Sequence, residues 1–199
     1  VPVEDSRWHD DRLQEISVSD GSDLGGYPSI AIDPVSQDLY ISYYNAQQQN
    51  LMLANRATPG TGNCGKSLGW YCGIIDSDGM VGPYSSIDVF NNGSTLRIGI
   101  AYHDMGNERL KYAQKSASLG LIQPLASWTI QVIDDGSTGV AAGKYASLKY
   151  GQDGRARIAY AEEGSGNGNL LFASQLTAST GTCGPSNTWQ CDTIDVGSD

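Results

Sequence analysis

Three stretches of this chain carry one pattern in the same order, and that internal repeat limits the fold more than any other feature. Gly25-Gly26-Tyr27-Pro28-Ser29-Ile30 aligns with Gly82-Pro83-Tyr84-Ser85-Ser86-Ile87 and with Gly143-Lys144-Tyr145-Ala146-Ser147-Leu148. Ile41-Ser42-Tyr43 aligns with Ile100-Ala101-Tyr102 and Ile158-Ala159-Tyr160. Leu51-Met52-Leu53-Ala54 aligns with Leu110-Lys111-Tyr112-Ala113 and Leu170-Leu171-Phe172-Ala173. A fourth block runs from Trp70, Trp128 or Trp189 to Ile75-Asp76, Ile133-Asp134 or Ile194-Asp195. The tyrosines of the first block lie 57 and then 61 residues apart.

Each block is a short run of Tyr, Ile, Leu and Val between turn residues, which is how strands are written. Strands A, B, C and D are therefore expected near 27–33, 39–44, 51–55 and 70–76, and again at the matching places of the other two copies. Asn91-Asn92-Gly93-Ser94 and Gln152-Asp153-Gly154 join A to B with turn chemistry. Four antiparallel strands repeated radially are the propeller solution to buried sheet faces. The expected fold is all-β: three four-stranded propeller-type blades at 22–79, 80–136 and 137–199, preceded by a segment at 1–21. A β-solenoid, whose units are usually shorter, and a β-sandwich are the alternatives.

The chain is cut unevenly with respect to these blades. Leu13 to Gly21 resembles Trp128 to Gly136 and reads as an orphan outer strand D without its A, B and C partners. Rings usually need four to eight blades, so three would not close alone. Two explanations follow: the chain is part of a longer propeller, or its open edges and free strand add to a copy of itself.

Charge narrows the partners. The net charge is -10 with 17% charged residues, and no basic stripe is present, which argues against nucleic acid and anionic membranes. No apolar run reaches about 18 residues, so no membrane span is expected. Four cysteines form two matching pairs, Cys64 with Cys72 and Cys183 with Cys191, each in a C–D connection. Repetition at one position argues for two local disulfides rather than a Cys₄ zinc site, which would need two distant blade corners to meet. Disulfides imply an oxidising compartment, hence a secreted or cell-surface protein.

Taken together, Gly-x-Tyr-x-Ser-[Ile/Leu], Ile-[Ser/Ala]-Tyr, Leu-x-x-Ala and Trp…Ile-Asp resemble the repeats of secreted bacterial β-propellers of the sialidase-like or lectin-like kind, over about residues 13–199. The resemblance implies the architecture. It implies less about activity, since propellers host many.

Catalytic signals are sparse. The sialidase box Ser-x-Asp-x-Gly-x-Thr-Trp is absent, and the arginines of the repeats, Arg97, Arg109, Arg155 and Arg157 among them, are few for a carboxylate clamp. Glu162 and Glu163, the carboxylate pair a glycosidase would need, are adjacent and so face opposite ways on a strand. His9 and His103 lack partners at metal-ligand spacing, and His103 reads as a surface loop residue at the end of strand B. The Gly-rich stretch 164–168 precedes no helix and is no nucleotide cradle.

Two candidate binding sites emerge. Propeller geometry puts D–A and B–C loops on one rim, gathering Asp76, Asp78, Asp134 and Asp135 with Asp20 and Asp23; such oxygens suit Ca²⁺. Ordinary turn chemistry is the favoured account of Asp beside Gly. Tyr44, Asn45, His103, Asp104, Glu162 and Glu163 offer aromatic, amide and carboxylate groups for a glycan, although tyrosines repeated in every copy also serve inter-blade packing. The reading favours a non-enzymatic module that binds a partner or assembles with itself; a lectin comes second and a glycoside hydrolase third.

Overall fold

The computed structural model describes residues 24–117, 127–136, 140–164 and 168–197. Within them twelve strands follow one another in three groups of four. The first sheet holds β1 (Leu24–Ile32), β2 (Leu39–Asn45), β3 (Asn50–Arg56) and β4 (Trp70–Asp76). The second holds β5 (Ser86–Asn91), β6 (Leu96–Asp104), β7 (Arg109–Ala117) and β8 (Thr129–Asp134). The third holds β9 (Ala141–Tyr150), β10 (Ala156–Glu163), β11 (Asn169–Gln175) and β12 (Trp189–Val196). Spatial order equals chain order in each sheet, and all neighbours are antiparallel. Every repeat is thus one four-stranded meander, as the all-β reading with four strands per unit expects. The orphan strand expected at 13–21, with His9, Asp20 and Asp23, lies outside the described residues.

The turns are made by short polar side chains that accept backbone N–H groups. Asp33 Oδ1 accepts from Val35 and Ser36 at the β1–β2 turn, and Asn92 Oδ1 accepts from Ser94 and Thr95 at β5–β6. The latter occupies the Asn92-Gly93-Ser94 sequence with turn chemistry.

The C–D connection is built the same way twice from Cys-Gly-x-Ser. Cys64–Cys72 and Cys183–Cys191 are disulfides, with Cα atoms 5.9 and 5.8 Å apart. After each first cysteine a glycine at φ 72° leads into a single 3-10 turn, Lys66–Leu68 or Pro185–Asn187. One polar side chain then clamps the second cysteine's backbone: Asn63 bonds both N–H and C=O of Cys72, and Thr182 those of Cys191.

The core is two slabs between sheets. Leu51, Leu53 and Ile75 of the first sheet meet Ile87, Ile98 and Ile100 of the second. Leu110, Tyr112 and Ile133 of the second meet Leu148, Ile158 and Tyr160 of the third. Alternation along each strand sends successive side chains to opposite faces. The middle sheet is therefore covered on both faces by its neighbours.

Candidate functional site

The contacts between sheets repeat from one junction to the next. Ser29 Oγ accepts the N–H of Ile87 at 3.2 Å, and Ser86 Oγ accepts that of Leu148 at 3.0 Å. Tyr102 donates its hydroxyl to Asp76 at 2.7 Å, and Tyr160 donates to Asp134 at 2.6 Å. Glycine is required where strand A enters. A Cβ on Gly82 would lie 2.9 Å from Leu51 Cα, and one on Gly143 2.7 Å from Leu110 Cα, both at positive φ. The Ser, Tyr, Asp and Gly of the repeat are therefore inter-sheet connectors, each reaching the adjoining copy.

The first-block tyrosines occupy an unexpected conformation. Tyr27, Tyr84 and Tyr145 have φ of 51°, 56° and 53°, left-handed values that bulky residues rarely adopt. Tyr27 and Tyr145 sit at register shifts in their strands, while Tyr84 shortly precedes β5. Their rings meet in sequence, with centroids 4.6 Å apart for Tyr27–Tyr84 and again for Tyr84–Tyr145, inclined at 50° and 55°. Burial, then the hydrogen bond with Tyr27, pushes the Tyr84 hydroxyl up to about 12. Tyr27 and Tyr145 leave much of their rings exposed. The sequence marked these tyrosines as strand residues. The nearby Gly was the only local sign of a distorted backbone, and it does not say which way the ring turns.

The residues named as glycan candidates are not gathered on an open surface. Tyr44, Asn45, His103 and Asp104 are buried. Asn45 and Asp104 hold the B–C turns: Asn45 Oδ1 accepts from Gln48 N–H, and Asp104 accepts from Asn107 N–H and Nδ2. Glu162 accepts from Asn169 Nδ2 at 3.0 Å, and Glu163 pairs with Lys144 at 2.7 Å. The surface-loop reading of His103 is corrected. Its Nδ1 donates to the Ala142 carbonyl at 2.8 Å, because strand B extends through His103 and β9 packs over it. Burial holds this imidazole below its ordinary value.

The acidic-rim residues also have protein partners. Asp76 is buried and takes Lys111 Nζ at 2.6 Å besides the Tyr102 hydroxyl. Asp78 donates its N–H to Asp76 Oδ1. Asp134 accepts from Gly136 N–H as well as Tyr160, and Asp135 lies 3.6 Å from Arg109. Among the described residues no three His, Cys, Asp or Glu groups are placed to hold a metal ion.

What stands out is the pair of outward sheet faces. Ile87 and Leu148 are 2% and 1% exposed, but their equivalent Ile30 is 60% exposed. Leu51 and Leu110 are fully buried, but Leu170 is 46% exposed; Ile75 and Ile133 are buried, but Ile194 is 60% exposed. Ser147 and Asp195, equivalents of the connectors Ser29 and Asp76, are likewise exposed. Gly25 has nothing within 4 Å among the described residues, where Gly82 and Gly143 meet a leucine. No family model matches this chain, and no curated protein matches it.

Proposed function

We propose that this chain is a set of propeller-type blades, of the kind found in secreted bacterial repeat proteins, that works by binding and assembly rather than catalysis. One observation carries the reading. Apolar residues of strands A, C and D that are buried at both internal junctions stand exposed at the two outward faces as Ile30, Leu170 and Ile194. Apolar surface of that kind marks an interaction site. The two disulfides support an oxidising location, hence secretion or display at the cell surface. The engagement of Glu162 with Asn169 and of Glu163 with Lys144 favours a structural part for both over acid–base work. Light scattering on a sizing column tests the reading: it expects a mass above the 21.2 kDa of one chain, and a stable monomer at all concentrations would refute it.

A second reading, carbohydrate binding, has one observation in its favour. The exposed rings of Tyr27 and Tyr145 flank Tyr84 in a continuous aromatic surface, a shape on which sugar rings stack. Glycan-array binding that disappears in Tyr145→Ala would support it; no binding by the intact protein would remove it.

A further inference from the structure

We infer that the outward face of the third sheet docks onto the outward face of the first sheet of a second copy of this chain, and that two copies close a six-bladed ring. This rests on the assembly reading above and names its partner and geometry.

The two faces are the separate halves of a contact the chain already makes twice. At each internal junction one side supplies the strand C leucine, the strand D isoleucine, the strand A serine and the strand D aspartate. The third sheet presents that set at its outward face as Leu170, Ile194, Ser147 and Asp195. The other side supplies the strand A glycine and apolar pair and the strand B tyrosine. The first sheet holds these as Gly25, Ile30, Ile32 and Tyr43, with Ile30 and Ile32 exposed. Docked as the internal junctions are, Ser147 Oγ accepts the Ile30 N–H of the second copy. Leu170 then fills the space beside its Gly25, and its Tyr43 hydroxyl faces Asp195.

Such a contact is head-to-tail, so whether it closes depends on the rotation per sheet. Closed propellers typically have about four to eight blades. Between these bounds six is the one multiple of three. Two copies related by a two-fold along the ring axis supply it, with two identical junctions.

The test uses the full chain and two charged variants, Ile30→Lys and Ile194→Asp, weighed by light scattering. The intact protein is expected at twice 21.2 kDa. Each variant alone carries one altered face into both junctions and is expected to be monomeric. An equimolar mixture is expected to regain the dimer mass, because one junction then pairs two unaltered faces and the other sets the introduced ammonium against the introduced carboxylate. Recovery in the mixture also shows that both variants fold. A dimer of intact protein that survives Ile30→Lys would overturn the inference, since the contact would then not use this face; so would an open polymer, or a mixture that stays monomeric while each variant gives a strand-rich circular dichroism spectrum. In these cases the assembly reading stands. A monomeric intact protein overturns both.

Discussion

At the scale of single residues, the buried polar groups connect one sheet to the next. Asp76 on β4 takes the ammonium of Lys111 and the hydroxyl of Tyr102, both from the second sheet. Removing one member of a buried pair strands the other charge, at about 3–5 kcal/mol. Asp76→Ala is therefore expected to lower stability in urea denaturation by that much. Asp134→Ala, where Leu171 stands in place of the lysine, chiefly loses the Tyr160 hydrogen bond and is expected to cost about 1–3 kcal/mol. His103 adds a pH dependence. Its folded pKa is depressed, with burial the main cause, so the unfolded chain takes up a proton first as pH falls through about 6.5. Stability is thus expected to be complete above that pH and to fall below it until the folded imidazole also protonates. His103→Gln, which keeps a donor for Ala142, is expected to flatten this part of a denaturation-midpoint profile between about pH 5 and 7.5. The sequence showed the Asp, Tyr and Lys types at these places. It did not show that they meet, because the partners lie 26 to 35 residues apart on different sheets.

At the scale of elements, the most legible feature was the strand pattern within each repeat. Strands B, C and D lie within a few residues of the expected ranges, because alternating apolar residues and Asn, Asp and Gly turns act locally. Strand A was less legible. Left-handed tyrosines shift its register at Gly26–Ser29 and across from Ala159–Ala161, and that distortion is maintained by ring contacts with adjoining sheets. The disulfide loops belong to this scale too. Each spans a separation of only eight residues and ties a 3-10 turn to the start of strand D. Loop closure of that size is worth roughly 2–3 kcal/mol. Reduction is expected to lower the calorimetric melting temperature, and Cys64→Ser with Cys72→Ser to reproduce about half of that fall.

For the whole molecule, the matter to explain is how two apolar faces coexist with solvent. The middle sheet has both faces covered, whereas the first and third keep Ile30, Ile32, Leu170 and Ile194 exposed. Association that buries these residues stabilises the folded state by mass action. The melting temperature is accordingly expected to rise with protein concentration and to become independent of it in Ile30→Lys. A flat response in the intact protein would count against assembly. Loop residues that look available in a sequence, such as Asn45 and Asp104, are occupied in holding hairpins once the strands pair.

The sequence by itself determined the repeat, the four strands of each unit and the disulfide pairs, because each depends on neighbours within one unit of the chain. Tertiary structure decided what the recurring positions of the repeat are for. Ser29, Gly82, Tyr102 and Asp76 make their decisive contacts with the adjoining copy, at separations no local pattern encodes. The same residue types at Ser147, Gly25 and Asp195 stand exposed. Position in the array, which is a property of three dimensions, separates a buried connector from an exposed one.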